Sequence, residues 1–227
     1  MLKTRSLELE IMDQPDLPPD VTRKFHRDLK LVHALMGNWR TLVTRLKRGD
    51  KPQSVIDIGC GDGALLAYLQ RDLRLREVTG IDINPPECAV PGVPVITANA
   101  TRDPLPQADA AVAVMVLHHL TDDQVIALLR NLSRSVKRFV CVDPVRHWLP
   151  MVLFTTLLGP LLSRVAATDG RQSIRRSFRA DDLRRLAESA LAGEGAEISV
   201  WVTPLFTKLM MDIHFKKIAS SEESVGH

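Results

Sequence analysis

An acidic residue followed by glycines at alternate positions carries the most chemical information in this sequence. Residues 57–63 read Asp-Ile-Gly-Cys-Gly-Asp-Gly, and they come directly after the apolar run 54–56. Glycine adopts positive φ and lets a ligand lie against the backbone, so the pattern predicts a tight strand-to-helix turn around a bound molecule. Asp57 stands where a phosphate would approach in a dinucleotide fold. Its carboxylate repels phosphate and favours a ligand with an ammonium group.

A second carboxylate follows the glycine turn along the chain. Asp82 ends the short apolar run 78–82. In dinucleotide folds a carboxylate at the end of the second strand accepts hydrogen bonds from the ribose hydroxyls, and we expect the same of Asp82. The two acids therefore predict a ligand with both a cationic and a sugar part.

Two adjacent histidines follow the apolar run 110–116, which predicts a buried strand. Open α/β sheets bind ligands at the carboxyl ends of their strands, so His118 and His119 are candidates for a general base. Neighbouring residues that leave a strand point to opposite sides, so we expect at most one to face a substrate and the other to pack structurally. Asp143 and His147, after the next apolar run, are further candidates, as a base with its orienting partner or as a loop-bracing pair.

The elements that must position these side chains alternate between apolar runs and helical patterns. Strands are predicted near 54–57, 78–82, 93–96, 110–116, 139–142, 197–202 and 205–210. Strands separated by helical patterns predict an α/β fold. Residues 20–47 precede the first strand and predict two helices with a break at Gly37. Residues 169–173 predict a polar turn before a helix that starts near 180.

In order and spacing, these runs resemble the class I S-adenosylmethionine (SAM)-dependent methyltransferases. The glycine turn is similar to the first motif of that family, and residues 117–120 are similar to the end of the fourth strand in its small-molecule members of the quinone and polyketide type. The resemblance implies a Rossmann-like fold with a seven-stranded, mostly parallel sheet, an antiparallel last strand and helices on both faces. It also implies SAM as the cofactor and methyl transfer as the activity.

The resemblance places the cofactor against three turns of the sheet edge. Asn99 stands where the family commonly has Asp, and its amide oxygen can accept the same hydrogen bond from the adenine amino group. Ile83 is expected to pack on the adenine face. The expected cofactor-binding residues are Asp57, Gly59, Cys60, Gly61, Gly63, Asp82, Ile83, Asn99, Ala100 and Leu117.

Residues 148–165 are apolar on more than one helical face and are interrupted by Pro150 and Gly159-Pro160. Their length and interruptions argue against a transmembrane helix. They are expected to be buried on several sides, to line a hydrophobic cavity, or to touch a membrane or a partner chain. Small-molecule members of the resembled family place an acceptor-covering segment here. This position implies a small lipophilic or aromatic acceptor, with O-methylation favoured over C-methylation.

Composition argues against several other classes. The net charge is +3, and the late arginines share their helices with acids. Aromatic residues make up 4% of the chain, too few for a base-stacking surface, so a nucleic-acid substrate is disfavoured. The sequence after the fourth strand also lacks the Asn/Asp-Pro-Pro-Tyr motif of base-amine methylation. A protein substrate and a SAM-binding protein without catalysis stay open as alternatives.

The cysteines and the N-terminal residues indicate the cellular compartment of the protein and whether it binds a metal. Cys60, Cys88 and Cys141 are odd in number and far apart, which predicts reduced, buried thiols rather than disulfides. Because no cluster of histidine, cysteine and carboxylate residues has metal-ligand spacing, the sequence predicts no metal. The N-terminal residues show no secretory signal, and we expect a cytoplasmic protein.

One domain is expected over the 227 residues. Its predicted parts are an N-terminal helical arm (1–50), a SAM-binding core (51–145), an acceptor-side insertion or lid (146–180), a C-terminal helix with strands (181–217) and a disordered tail (218–227).

Overall fold

The structure is a computed structural model that describes residues 2–14, 17–86 and 90–216. Its strands are β1 (Ser54–Ile58), β2 (Glu77–Asp82), β3 (Val95–Thr97), β4 (Ala108–Val114), β5 (Val136–Asp143), β6 (Glu197–Val202) and β7 (Leu209–His214). They form a seven-stranded sheet in the order β3-β2-β1-β4-β5-β7-β6. The predicted tail at 218–227 and the thiol of Cys88 lie outside the described residues.

Helices cover both faces of the sheet. They are α1 (Pro19–Met36), α2 (Asn38–Leu46), α3 (Ala64–Leu73), α4 (Asp122–Ser135), α5 (Trp148–Leu153), α6 (Arg164–Arg176) and α7 (Ala180–Ala190). Gly37 separates α1 from α2 with a φ of 62°, a left-handed conformation that glycine adopts without strain. This confirms the break predicted in the N-terminal arm.

Strand directions agree with the predicted fold class. Strands β1 to β5 pair in parallel, and β7 is antiparallel to both β5 and β6. The predicted start of the last strand at residue 205 was wrong. Residues Pro204–Phe206 form a 3-10 turn, in which Leu205 and Phe206 have positive φ, so the ladder resumes only at Leu209.

The alternation of side chains along β4 separates two hydrophobic layers. Ala111 and Ala113 pack in the layer that holds residues of α4 and α7. Val112 and Val114 pack in the layer that holds residues of α2 and α3. Since both faces are covered, the ends of the strands are where side chains can meet a ligand.

The apolar segment after β5 is helical but irregular. Helix α5 leads into a π-helical turn (Phe154–Leu158) and a 3-10 turn (Gly159–Leu161), and then α6 begins. The predicted polar turn at 169–173 was wrong, because these residues lie inside α6. Their polar side chains have partners there: the buried carboxylate of Asp169, for example, accepts hydrogen bonds from the backbone N–H groups of Ile11 and Met12.

Candidate functional site

The glycine turn after β1 has the backbone conformation that its sequence predicts. Gly59, Gly61 and Gly63 all have positive φ, at 68°, 52° and 78°. A Cβ atom added at Gly61 would meet nothing within 4 Å, whereas one at Gly59 would lie 2.7 Å from Val116. Gly61 therefore borders open space where a ligand can approach the backbone.

Asp82 joins the glycine turn to the end of β2. Its Oδ2 accepts a hydrogen bond from the N–H of Gly61 at 2.9 Å, and its Oδ1 accepts one from the N–H of Asn84 at 2.9 Å. Each carboxylate oxygen keeps a second acceptor site, since it has two lone pairs. Asp82 thus fixes the turn and can still accept hydrogen bonds from a ligand.

A cavity of about 160 Å³ lies beside the glycine turn. Asp57, Gly59, Cys60 and Gly61 line it on the side of the sheet. The N-terminal arm closes the opposite side, and the ion pair between Lys30 of α1 and Asp62 of the turn, at 2.8 Å, holds the arm in place. Four of the predicted cofactor-binding residues therefore share one cavity.

Electrostatics in this cavity favour a positive ligand. Burial and the nearby charge of Asp82 raise the pKa of Asp57 well above its ordinary value. A cation at this place would relieve the repulsion between the two acids. His33, also on the cavity wall, adds no opposing charge, because burial lowers its pKa to about 4. Trp39 lines the same wall and supplies an aromatic ring.

The other predicted cofactor-binding residues are not on the wall of this cavity. Ile83 is 66% exposed, and its predicted contact with the adenine stays a prediction. Asn99 uses its side-chain oxygen locally, accepting hydrogen bonds from the N–H and hydroxyl of Thr101. Ala100 and Leu117 are buried, and Leu117 is fully inside the core. Gly63 is the N-terminal cap of α3.

Cys60 and Cys141 are buried and unpaired, as the sequence predicts for these two thiols. The thiol of Cys60 packs against Gly80, where an added Cβ would lie only 2.4 Å from the sulfur. Burial, with the charges of Asp57 and Asp82, raises the pKa of Cys60 to about 12. Cys60 is therefore a small packing residue of the turn and not a nucleophile.

A larger cavity of about 320 Å³ lies next to the first. Its walls come from α1, from the ends of β4 and β5, from the irregular segment after β5 and from α6. Phe25, Asp143, Phe154, Leu158 and Asp169 are among the lining residues. Leu29 of α1 lines both cavities. The predicted lid segment thus covers a largely apolar space at the carboxyl end of the sheet.

Met115 stands at the junction of the two cavities and lines both. It follows the last residue of β4 and has a φ of 62°, which is uncommon for a residue with a side chain. Its N–H donates to the carbonyl of Val142 at 2.9 Å, so the neighbouring strand holds this conformation. Strained backbone conformations cluster at functional sites, although Arg74, Leu205 and Phe206 of this chain also have positive φ.

His118 pairs with Asp143 rather than facing the larger cavity directly. Its Nδ1 lies 3.0 Å from Oδ1 of Asp143, and its backbone N–H donates to Oδ2 at 2.9 Å. Burial alone would lower the pKa of His118, but the carboxylates of Asp143 and Glu10 outweigh it and raise the pKa to about 9. Asp143 lines the cavity, and the imidazolium lies behind it.

The expectation that His118 and His119 point to opposite sides was wrong. They lie in a 3-10 turn (Leu117–His119), not in an extended strand, and their ring centroids are 4.2 Å apart. His119 is partly exposed, with its Nδ1 3.2 Å from Oδ1 of Asp13. Both imidazoles therefore stand beside carboxylates on one side of the turn.

His147 takes a structural position. Its Nδ1 accepts a hydrogen bond from the N–H of Leu149, which caps the start of α5. Its ring stacks on Phe206 with the centroids 4.0 Å apart. The pair of Asp143 with His147 that the sequence suggested does not form, because Asp143 bonds His118 instead.

Comparison with known proteins decides the family. The sequence profile described as a methyltransferase domain matches residues 31–190, which is more than half of the 227-residue chain. The chain belongs to the class I SAM-dependent methyltransferases. No curated protein matches it.

Solved structures with a similar fold are methyltransferases too. The plantazolicin methyltransferase BpumL, in complex with a monoazolic desmethylPZN analog and SAH, has a TM-score of 0.69 at 16% identity, covering 88% of this chain and 91% of that one. The methyltransferase domain of a bacterial Hen1 has a TM-score of 0.59 at 18% identity, and the match covers 78% of this chain and 97% of that one. Human N-acetylserotonin methyltransferase in complex with SAM has a TM-score of 0.55 at 18% identity, and the match covers 86% of this chain and 57% of that one. At these identities the likeness shows the fold.

The N-terminal segment of this methyltransferase contributes polar residues that the sequence did not indicate. Glu10 accepts a hydrogen bond from the hydroxyl of Ser173 at 2.9 Å, and it faces the two histidines. Arg5 donates to the backbone carbonyls of His118 and Leu120. These partners are more than a hundred positions apart along the chain, so no local pattern could have revealed them.

Among the described residues of the methyltransferase, no helix is long and apolar enough to cross a membrane. The interrupted segment after β5 lies over the larger cavity instead. The arrangement as a whole puts a site suited to a positive ligand next to an apolar chamber with a carboxylate on its wall.

Proposed function

We propose that this methyltransferase transfers a methyl group from SAM to a small hydrophobic or phenolic acceptor, preferentially to oxygen. The observation that carries the proposal is the contact between the two cavities. Leu29 and Met115 line both, so a cofactor in the first cavity and an acceptor in the second would meet there. Holding two reactants in contact supplies much of the catalysis that such a transfer needs.

The residues present fit SAM. A cation would favour the ionised form of the buried Asp57 carboxyl beside Asp82. The open backbone at Gly61 admits a close ligand, and Trp39 offers an aromatic ring, which stabilises a cation that lies over the ring face. When bound, SAM supplies an already activated methyl group on a sulfonium. The protein therefore has to bind, align and exclude water.

The larger cavity is matched to an apolar acceptor of modest size. Its volume of about 320 Å³ is at the lower end of the roughly 300–1,000 Å³ of small-molecule sites. Phe154 and Leu158 cover it, while Asp143 is a carboxylate on the wall. A phenolic hydroxyl that donates to Asp143 would become a better nucleophile as its proton moves towards the carboxylate. His118 positions Asp143 through their two hydrogen bonds.

A peptide or nucleic-acid acceptor is the competing function. The BpumL structure contains a desmethylPZN analog, and another solved structure is named as an N-acetylserotonin methyltransferase, so the fold accommodates more than one substrate class. The small, covered, apolar chamber favours a compact molecule over a chain, because a polymer needs an open groove.

The test is transfer of tritium from methyl-labelled SAM to a panel of acceptors. The panel comprises a long-chain alkylphenol, a hydroxynaphthoquinone, a short peptide and transfer RNA. The proposal expects label in the phenolic products, as a methyl ether by NMR. Label that enters only the peptide or the RNA would contradict it, and a ring-methylated product would assign the transfer to carbon.

A further inference from the structure

Glu10, His118 and His119 bring three possible metal-ligand atoms together next to the acceptor cavity. One ligand atom from each residue lies within 4.8 Å of the other two. Glu10 belongs to the segment before α1, and the histidines belong to the turn after β4. The cluster therefore forms only on folding, and for that reason the spacing of residues along the chain gave no sign of it.

The distances suit an ion between the groups better than direct contact. Nε2 of His118 lies 3.5 Å from Oε1 of Glu10, and Nε2 of His119 lies 4.0 Å from Oε2. Good N–H···O hydrogen bonds are shorter, at about 2.7–3.2 Å. Zinc bonds of about 2.0–2.2 Å in tetrahedral geometry separate the ligand atoms by roughly 3.4 Å. The first spacing is close to that value, and the second, to the other oxygen of Glu10, is longer by about 0.6 Å.

The second nitrogen of each imidazole is already fixed by a carboxylate. Nδ1 of His118 lies 3.0 Å from Asp143, and Nδ1 of His119 lies 3.2 Å from Asp13. Histidine ligands of metals usually donate their other ring N–H to a carboxylate, which sets the tautomer and directs the free nitrogen at the metal. Here both free nitrogens face Glu10, whose own carboxylate is held by Ser173.

We propose that Glu10, His118 and His119 form a binding site for a divalent first-row transition metal, with Zn²⁺ as the best match. Two imidazole nitrogens and one carboxylate oxygen are a common three-residue set for zinc, and a fourth position stays open to water or another ligand. His118 and Glu10 are buried, while the side chain of His119 is 34% exposed and gives the ion a way in.

The bound ion joins two parts of the molecule that are distant in sequence. Glu10 anchors the N-terminal segment, which also contacts α6 through Asp169. His118 is tied to Asp143 on the wall of the acceptor cavity. Metal binding therefore locks the N-terminal segment onto the end of the sheet where the acceptor binds. In the competing arrangement, a protonated His118 ion-pairs with Asp143 and Glu10 and no metal binds.

Metal titration of the whole, untagged chain separates these arrangements. The protein is stripped with a chelator, dialysed, and titrated with Zn²⁺ by calorimetry and with Co²⁺ by visible absorption. We expect one equivalent of each ion, with a Co²⁺ spectrum of nitrogen and oxygen ligands. A spectrum with thiolate charge-transfer bands would place the ion on cysteine and overturn the assignment, as would the absence of binding.

Matched variants locate the site. His119→Ala removes a ligand at a partly exposed position, and Glu10→Gln removes the carboxylate charge while keeping its shape. Asp13→Asn keeps all three ligands but changes the carboxylate that orients His119 and that also pairs with Arg176 and with the N–H of Glu10. It should weaken binding by about 10–100-fold, and the two ligand variants should lose more than that. His214→Ala, at the end of β7, is the control and should bind as the wild type does. Wild-type affinity in His119→Ala, with circular dichroism unchanged, would overturn the proposal.

Discussion

Asp143 accepts two hydrogen bonds from a single residue, His118, one from its backbone N–H at 2.9 Å and one from its ring at 3.0 Å. This double contact joins the end of β5 to the turn after β4. It fixes a buried carboxylate on the wall of a largely apolar cavity, which the buried Asp169 also lines. Under the proposed function, the Asp143 carboxylate is the group that accepts the proton of an acceptor hydroxyl.

Replacing Asp143 by Asn should lower turnover of a phenolic acceptor by about 10²–10⁴-fold, since an amide cannot take up the hydroxyl proton. Affinity for SAH should stay unchanged, because Asp143 lines only the acceptor cavity of the two. Steady-state kinetics and SAH calorimetry measure the two effects. Asp181→Asn, on the exposed side of α7, is the control and should behave as wild type. Equal loss of turnover and SAH affinity would remove Asp143 from the acceptor site.

Gly61→Val should abolish SAM binding, because the side chain would enter the open space beside the glycine turn. The same change at Gly193, which has a φ of 84° and open space around it, imposes similar backbone strain away from the cavity. We expect Gly193→Val to bind SAM normally. Circular dichroism checks that both variants fold. Normal SAH affinity in folded Gly61→Val would mean that the turn does not hold the cofactor.

Asp82→Ala should weaken SAM binding by about 1.5–3 kcal/mol, the contribution of a hydrogen bond to a charged group. The substitution removes a ribose partner and also frees the N–H groups of Gly61 and Asn84. Calorimetry with adenosine and with SAH distinguishes these effects. Loss of a ribose contact should weaken the binding of both ligands, because both contain the ribose, whereas a disturbed glycine turn should weaken the binding of SAH more. If neither ligand binds more weakly, Asp82 has no role in the site.

Phe154→Asp and Leu158→Asp should impair turnover far more than SAH affinity, because both residues line the acceptor cavity. Leu161→Asp is the matched control. Leu161 belongs to the same segment, but it is 64% exposed and is not among the residues that line the cavity. Liposome flotation tests the alternative that the segment contacts a membrane. If the wild type binds lipid and Leu161→Asp does not, the segment is a membrane contact instead of a lid.

Much of the fold and the shape of the glycine turn could be predicted from sequence because their signals are local. The strand before Asp57 and the glycines after it are neighbours in sequence and in space. The alternation of apolar residues in strands and their helical periodicity likewise indicate which side chains of a single element are buried. The break at Gly37 follows from the same kind of local signal.

The rest depended on contacts between distant segments. Glu10 and Asp13 gain their significance only when the N-terminal segment folds across the turn that holds His118 and His119. Residues 169–173 look like a turn by composition, yet tertiary partners for their polar groups keep them helical. The side-by-side histidines could not be predicted either, because the strand ends before them and a 3-10 turn follows.

A buried carboxylate on β7 offers a pH test of stability. Burial would raise the pKa of Asp212, but hydrogen bonds and charges from Arg138 and Arg45 outweigh it and lower the pKa. Asp212→Asn should lower the free energy of unfolding by about 3–5 kcal/mol at neutral pH. Since a lowered pKa stabilises the folded state above the unfolded value of about 3.9, the difference should shrink as pH falls through the folded pKa.

Denaturant unfolding at a series of pH values measures this difference. The exposed pair of Asp72 with Lys47, at 2.9 Å, supplies the control. Asp72→Asn should change the free energy of unfolding by only about 0–1 kcal/mol. A difference for Asp212→Asn that grows on acidification would contradict the sign of the pKa shift.

The most direct test of the central claim is a crystal structure of the protein with SAH. Our account predicts SAH beside the glycine turn, within contact of Asp57 and Gly61. It also predicts that the cavity of about 320 Å³ stays vacant and open to the cofactor at Met115. SAH that fills this apolar cavity, or a cofactor site that opens only onto the exterior surface, would contradict methyl transfer to a small apolar acceptor.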